Sequence, residues 1–528
     1  MRFTLPHCFR LSPHNVRRYF TILSLLGVFV LLIILRSNSI HTPFERDEGE
    51  YAYSARLLLR GDVPFTESFL QKPPPIIFTY AIGQLFDPNG VAAPRVLAML
   101  FLLGTIYLVG YIGYKEFGLL VGIASMWIVV PMVSFPYLTA LAANTEVFML
   151  LPLTATVALY VKMKSQESTP YYQHILVGFL STIAILYKPI AVFPLIFLFG
   201  VWVVNIWKRH HNRNKLLFVL SFWCIGCVIS STVFLGYFLL RGAGPYMWDS
   251  IVDFNSHYVT FFGLGFTYLL RRFSQFATTW TPLIFLLVWA LVRESKKLWL
   301  YFGLFITSLL GIFQTPIGHY YLMLMPFWAL ITAYAIYSLA SYIDNQAKLF
   351  FTFLFTAIVV VYMLLGVREQ FTMTSAEIGQ WVYGRTSPFA ESLVVGKKLN
   401  ELTNPTDSVF VAGSEPQILY YADRKSSSRF VITYPFIIKT PKQLIYQKEA
   451  ARELTDHPPS AIVLSQKSES GLWDEASPSY FRDFLNNLLK TKYNLIGGSV
   501  WEGESFTWRT QISEDELFRT SLLLFQKK

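Results

Sequence analysis

Residues 19–35 read YFTILSLLGVFVLLIIL, and this uncharged run decides the class of fold. An apolar run of this length can cross a hydrocarbon core of ~30 Å as an α-helix, with a rise of about 1.5 Å per residue. A basic tail with Arg2, Arg10, Arg17 and Arg18 precedes the run, and no small-residue cleavage site follows it. We therefore expect an uncleaved first span whose N-terminus is cytoplasmic.

Similar apolar runs recur as far as about residue 366. Hydrophobic residues make up 53% of the chain and charged residues only 15%, which is too little polar surface for a soluble protein of 528 residues. Because backbone groups in lipid must be hydrogen-bonded within their own segment, the spans should be helices. The sequence therefore predicts a polytopic α-helical membrane domain of about eleven spans over residues 1–366.

Three basic blocks between the runs, at 162–164, 208–215 and 293–297, orient the spans. All three are cytoplasmic when spans are counted from a cytoplasmic N-terminus, so the net charge of +11 indicates topology and not nucleic-acid binding. The fifth span is expected at about residues 174–187, and a long outer loop at 241–279. Other basic residues fall on the outer side, where they could hold an anion. They are Arg46, Arg56, Arg60, Lys72, Arg241, Arg271 and Arg272.

The composition changes after Gly366. Residues 385–528 mix polar and apolar side chains, with alternating apolar runs at 408–412 and 461–464 and an amphipathic stretch at 441–454. Alternating strands and helices predict a small α/β domain. An odd number of spans places this domain on the extracytoplasmic side.

The first outer loop, residues 37–92, is expected to hold two short helices at the membrane interface. It contains ERDEGEYAY at 45–53, for which two interpretations are compatible. In one, Asp47 is the N-cap of a helix over 48–60, Glu50 completes a capping box and Gly61 ends the helix. In the other, Asp47 and Glu48 lie at the mouth of a cavity and act as a base or bind a cation.

Five short motifs together resemble the outer loops of glycosyltransferase family 39. This family contains the protein O-mannosyltransferases and aminoarabinose transferases, which have the GT-C membrane fold and use polyprenyl-phosphate sugars. The motifs are RDEGEYAY at 46–53, QKPP at 71–74, AANTE at 142–146, YKP at 187–189 and GHYY at 318–321. The resemblance covers the membrane region, about two-thirds of the chain. The sequence GSEPQ at 413–417 also resembles bacterial members, without a role attached to it.

The resemblance implies sugar transfer from a polyprenyl phosphate to a protein, lipid or glycan acceptor, at the outer face of a bacterial plasma membrane. A single displacement would invert the anomeric centre. Asp47 would deprotonate the acceptor, with Glu48 beside it, and Glu146 in the second outer loop, 139–146, would orient the acceptor, the sugar or a metal. Cations would stabilise the departing phosphate. The donor-phosphate candidates are Arg56, Lys72, Lys188, His319 and Tyr320.

Simpler roles remain open for these residues. Lys72 could extend along the membrane interface, and Lys188 could be a plain anchor at the end of a span. Glu146 could cap the fourth span, and His319 and Tyr320 could belong to an interfacial aromatic belt.

A cofactor is not required by the sequence, although a divalent metal is possible. Aminoarabinose transferases have an acidic residue before Lys-Pro-Pro, whereas this chain has Gln71. An amide binds metal less well than a carboxylate, which makes a metal at that position doubtful.

Two other functions compete with the glycosyltransferase. A transporter or flippase of a lipid-linked or anionic substrate would place ionisable residues and broken helices near the midplane, often in repeated halves. Here the ionisable residues collect at one face and no repeat is visible. A non-catalytic scaffold is the third possibility, against which the presence of Asp47, Lys72 and Glu146 argues.

Overall fold

The computed structural model describes residues 13–528, except 140, 167–168, 262–264, 314–316 and 385. Arg2 and Arg10 of the basic tail lie outside the described residues. Within this described part, seven helices are long and apolar enough to cross a membrane. They are Arg17–Ser37, Ala92–Phe117, Thr145–Lys164, Pro189–Arg209, Arg213–Leu240, Gly318–Ile343 and Lys348–Leu365.

Shorter apolar helices cover other predicted spans. Tyr171–Tyr187 corresponds to the predicted fifth span, and Leu119–Met132 to the third. Pro75–Phe86 is a third short apolar helix and lies in the first outer loop. The protein is therefore a multi-helix chain of membrane type, while the total of about eleven spans stays a prediction.

The helix Thr281–Ile312 reverses direction within its length. If it were straight, Trp280 and Phe305 would lie about 37 Å apart along its axis. Both rings instead contact Trp328, with centroid distances of 5.6 Å and 5.7 Å. The basic block 293–297 lies between the two arms, as expected for the turn between the predicted eighth and ninth spans.

Two helices cross at a point where each of them has a glycine. A Cβ added at Gly178, in Tyr171–Tyr187, would collide with the carbonyl group of Trp223. A Cβ at Gly226, in Arg213–Leu240, would collide with the carbonyl oxygen of Ile175. Small residues let membrane helices approach closely, and here they allow backbone contact between these two.

The first outer loop holds two helices, Arg46–Leu59 and Pro75–Phe86. The expectation that Asp47 caps the first of them is wrong, because Glu45 is the N-cap. The Glu45 side chain accepts from the backbone N–H of Glu48, and the Glu48 side chain accepts from that of Glu45. The capping box therefore forms two residues earlier than expected, which leaves Asp47 free for another role.

The predicted outer loop at 241–279 is largely helical. It contains Gly244–Met247, a π-helical turn at Trp248–Phe254, Asn255–Phe261 and the amphipathic helix Gly265–Thr279.

The C-terminal part contains one six-stranded mixed sheet. The strands are β1 Ser408–Ala412, β2 Lys425–Ser426, β3 Ala461–Ser465, β4 Tyr493–Glu502, β5 Ser505–Arg509 and β6 Thr520–Lys527. Their order in the sheet is β2-β1-β3-β6-β4-β5. β1 pairs in parallel with β2 and β3, and the other pairs are antiparallel. The predicted strands and the small α/β fold are confirmed. The accompanying helices are Ser375–Tyr383, Phe389–Leu402, Gln417–Ala422, Tyr434–Ile437, Gln443–Asp456, Tyr480–Lys492 and Glu514–Leu517.

The sheet-bearing part packs directly on the helix Arg46–Leu59. A Cβ added at Gly49 would lie 2.5 Å from the backbone nitrogen of Gln417, so only glycine permits this approach. Arg46 reinforces the junction by donating to the carbonyl oxygen of Ser414, and its guanidinium lies 2.7 Å from Glu415. The sequence 413–417 thus joins the C-terminal part to the first outer loop.

Candidate active site

A cavity of about 590 Å³ lies between the first outer loop, two span ends and the C-terminal part. Its charged lining comes from Glu45, Arg46, Asp47, Glu50, Lys72 and Lys188, with His319 beside them. Neutral lining residues come from segments far apart in the sequence. They include Gln71, Pro73, Asn255, Ser256, Tyr258, Tyr320, Ile432 and Tyr434.

Asp47 is the acidic side chain of the cavity that water reaches most easily. Its side chain is 29% exposed, whereas Glu50 is 2% exposed. Asp47 lies in the first turn of Arg46–Leu59 and faces Lys72, with 4.0 Å between Oδ1 and Nζ. This carboxylate can therefore meet a molecule that enters the cavity, and it lies close to a cation.

Lys72 is held through the backbone of its neighbour Gln71. The Gln71 N–H donates to the Glu50 carboxyl at 3.3 Å, and its carbonyl oxygen accepts from the Asn255 side chain at 2.8 Å. Pro73 follows and restricts the backbone further. Burial alone would lower the pKa of Lys72, but the nearby Asp47 carboxylate raises it above the ordinary value. Lys72 is therefore a positioned ammonium that is charged at neutral pH.

The sequence predicts only one role for Glu50, as part of the capping box of the first loop helix. Burial raises its pKa to about 8, an effect that Lys72 opposes and Asp47 adds to. The carboxyl is thus largely protonated at neutral pH. Its spacing of three residues from Asp47 was the available signal, since residues i and i+3 share a helix face.

Glu146 lies behind Lys188, joined to it by an ion pair. Lys188 Nζ is 2.6 Å from Glu146 Oε1, and it also lies 4.1 Å from the centre of the Tyr320 ring. His319 Nε2 is 3.7 Å from the same Glu146 oxygen, and His319 Nδ1 is 3.1 Å from Thr139 Oγ1. The fold therefore brings the second outer loop and the 318–321 motif together, at the wall of one cavity.

Two candidates, Glu48 and Arg56, lie outside this cavity. Glu48 is fully buried and bound through both oxygens to Arg95, at 3.0 Å and 2.6 Å. Arg56 is nine residues beyond Asp47, which is about half a turn around the helix and therefore the opposite face. There it contacts Asp423 and donates to Gln84 at 3.1 Å. Their expected roles at the reacting centre are corrected: both side chains hold the loop helix in place.

No sequence pattern pointed to Tyr258 or Tyr434. Their ring centroids are 6.5 Å apart, and the Arg46 guanidinium lies 5.8 Å from the centre of the Tyr434 ring. One comes from the helix Asn255–Phe261 and the other from the C-terminal part, so only the folded chain reveals that they share a cavity.

Within the described residues, no group of three or more His, Cys, Asp or Glu side chains is arranged to hold a metal ion.

No protein-family model matches the chain, and no curated protein matches it in sequence. Solved structures do share its fold. ArnT from Cupriavidus metallidurans, bound to undecaprenyl phosphate, has a TM-score of 0.60 at 13% identity over 96% of this chain and 98% of that one. Archaeal oligosaccharyltransferase AglB from Archaeoglobus fulgidus, with an inhibitory peptide and a dolichol-phosphate, has 0.52 at 10% identity over 94% and 74%.

A mycobacterial arabinofuranosyltransferase, AftD, has a TM-score of 0.52 at 14% identity, over 98% of this chain and 42% of that one. At such identities the likeness establishes the fold alone, which this chain shares with these three membrane glycosyltransferases. The narrower resemblance to family 39 stays a prediction.

Proposed function

We propose that this chain transfers a sugar from a polyprenyl-phosphate donor to an acceptor at the cavity of Asp47 and Lys72. The observation that carries the proposal is the pairing of an accessible carboxylate with a positioned ammonium, 4.0 Å apart, in a cavity at the ends of apolar helices. The glycosyltransferase fold supports the same reaction class, and ArnT with that fold was solved with undecaprenyl phosphate.

Lys72 is the proposed ligand of the donor phosphate. As the bond between the anomeric carbon and the phosphate oxygen breaks, negative charge grows on that oxygen, and a nearby ammonium stabilises it. Lys188 already forms an ion pair with Glu146 and contacts the Tyr320 ring. Lys188 and Tyr320 are therefore better suited to form a wall beside the donor than to neutralise its charge. His319 and Glu146 hold Lys188 in place from behind.

Asp47 is the proposed general base. It takes the proton of an acceptor hydroxyl, the acceptor oxygen attacks the anomeric carbon, and polyprenyl phosphate leaves from the opposite side. The configuration is inverted in this single displacement. Phosphate is already a good leaving group, so no acid is needed opposite Asp47. The acceptor class, whether protein, lipid or glycan, is left open by the cavity.

One assay tests both this proposal and its rival, a transporter or flippase. Purified full-length chain is incubated with a panel of polyprenyl-phosphate sugars, and release of sugar-free polyprenyl phosphate is measured with and without candidate acceptors. We expect turnover of one donor class, lost in Asp47→Asn. Movement of intact donor across a vesicle membrane, without cleavage of any donor in the panel, would contradict the proposal.

A further inference from the structure

A second, larger cavity of about 1050 Å³ lies at the opposite end of the helices from the Asp47 cavity. The helix Thr145–Lys164 links the two, because Glu146 near its start supports the first cavity and Lys164 at its end lines the second. These residues are about 27 Å apart along the axis, close to the ~30 Å thickness of a hydrocarbon core. The second cavity therefore opens at the other membrane surface.

The rim of this cavity is cationic. Lys164, Lys208, Arg209 and Lys215 line it, and no acidic side chain does so within the described part of the chain. Glu116, which does not line the cavity, neutralises Lys164 through an ion pair of 2.6 Å. Lys208 and Arg209 therefore give the rim an excess of positive charge, which favours an anion.

Arg209 is fixed at this rim by the end of a neighbouring helix. It donates to the backbone carbonyl oxygens of Lys164 and Gln166, at 2.6 Å and 2.7 Å. Both acceptors are uncharged, so the guanidinium keeps its full charge while its position is set. A fixed cation of this kind suits a phosphate group.

Below the rim the cavity wall is aromatic and apolar. The Tyr160 and Trp202 rings pack at 5.1 Å, and Phe218 and Val219 extend the wall. His174 belongs to this wall as a neutral ring, because its Nδ1 accepts from the Trp223 indole and its Nε2 lies 2.8 Å from Thr169 Oγ1. A free anion would leave this apolar surface uncovered.

We propose that this cavity binds an anionic glycerophospholipid, with its phosphate at Lys208, Arg209 and Lys215 and its acyl chains against Phe218 and Val219. Basic pockets between membrane helices bind anionic headgroups in this way. The volume exceeds what most drug-sized ligands need, so it accommodates a headgroup and the first part of the chains. The proposal is independent of the reaction at the other surface.

Native mass spectrometry of the full-length chain in detergent tests the proposal, with phosphatidylglycerol, phosphatidylcholine or inorganic phosphate added. We expect retained phosphatidylglycerol and little phosphatidylcholine. The triple variant Lys208→Gln, Arg209→Gln, Lys215→Gln should bind phosphatidylglycerol on the order of 100-fold more weakly, at about fivefold for each cation lost. The matched control Arg293→Gln, Lys296→Gln, Lys297→Gln removes three cations from another helix turn and should retain the lipid.

A second variant separates loss of the site from loss of the fold. Val219→Trp fills the apolar wall without changing any charge, and it should also lower phosphatidylglycerol retention while the thermal midpoint without lipid stays near that of the parent. Equal retention in the triple variant and its control would overturn the proposal. So would displacement of the lipid by millimolar inorganic phosphate, which would identify a free anion as the ligand, or equal binding of phosphatidylcholine.

Discussion

Water reaches Asp47 and Glu50 very differently, although they lie one turn apart on the same helix. Asp47 is partly exposed in the cavity, whereas Glu50 is buried beneath it and bound to the Gln71 backbone. A base must reach its substrate, so Asp47 fits that role, and Glu50 fits the support of Lys72. Three predictions test this division at the scale of single residues.

Asp47→Asn should lower transfer at least about 100-fold, since a general base contributes that much or more. The fold should persist because Glu45 and not Asp47 caps the helix. Asp62→Asn is the matched control, because Asp62 pairs with Lys425 outside the cavity. Near-normal turnover per folded molecule in Asp47→Asn would count against Asp47 as the base.

Lys72→Ala should both raise the KM for the donor and lower kcat, because an ammonium contacts the phosphate before and during its departure. Lys72→Arg should retain part of both, since it keeps the charge but changes the geometry. Steady-state kinetics on purified variants measure this, with Lys425→Ala as a control outside the cavity. If only the expression level changes, Lys72 is an interfacial anchor.

Glu50→Gln should change the pH dependence of donor binding. The folded-state pKa of Glu50 is raised to about 8, so its protonated form favours folding, and that contribution is lost as pH rises through 8. Above this pH the ionised carboxylate also adds negative charge where an anionic donor binds. We expect the parent KM to rise above pH 8 and the variant KM to rise less. Parallel KM profiles would exclude ionisation of Glu50 as the cause.

At the scale of elements, the helix Arg46–Leu59 is positioned from two sides. Arg95 holds Glu48 on the membrane side, and Gln417 and Glu415 of the C-terminal part contact Gly49 and Arg46. Tyr434 reaches the cavity from that same C-terminal part. The helix that carries the proposed base therefore packs directly on the part of the chain that closes the cavity.

Gly49→Ala should separate these two elements. The added methyl group meets backbone of Gln417, which cannot rotate away, and such overpacking costs about 1–3 kcal/mol. We expect a lower thermal midpoint and a larger fractional loss of transfer. Gly200→Ala is the control, because a Cβ there meets nothing within 4 Å. Unchanged stability and transfer in Gly49→Ala would show that the junction adapts.

At the scale of the whole molecule, the two ends of the helices differ in chemistry. One end holds Asp47, Lys72 and the sheet-bearing part, and the other holds the basic blocks 162–164 and 208–215. Positive charge in short loops favours the cytoplasmic side. This distribution supports the expected orientation, with the C-terminal part outside.

A reporter that is active only outside the cytoplasm should therefore be active when fused after Lys528. The same reporter inserted in the turn at 293–297 should be inactive there, and a cytoplasm-specific reporter should be active. Cytoplasmic activity after Lys528 would reverse the orientation and remove the outer-face reaction with it.

Features that depend on neighbouring residues were predictable from local patterns. The apolar runs, the alternation at 408–412 and 461–464 and the glycine end of the first loop helix are local patterns, and the structure contains them. The motif resemblance also selected Asp47, Lys72, Lys188, His319 and Tyr320, which all line one cavity.

Which of the neighbouring acidic residues faces the cavity depends on packing between distant segments. The helix phase is fixed by the Glu45 cap and by the buried pair of Glu48 with Arg95, and no local pattern distinguishes 47 from 48. Tyr258 and Tyr434 enter the cavity through contacts between segments about 180 residues apart. Such contacts depend on which surfaces pack together once the helices and the sheet have formed, so residue spacing does not encode them.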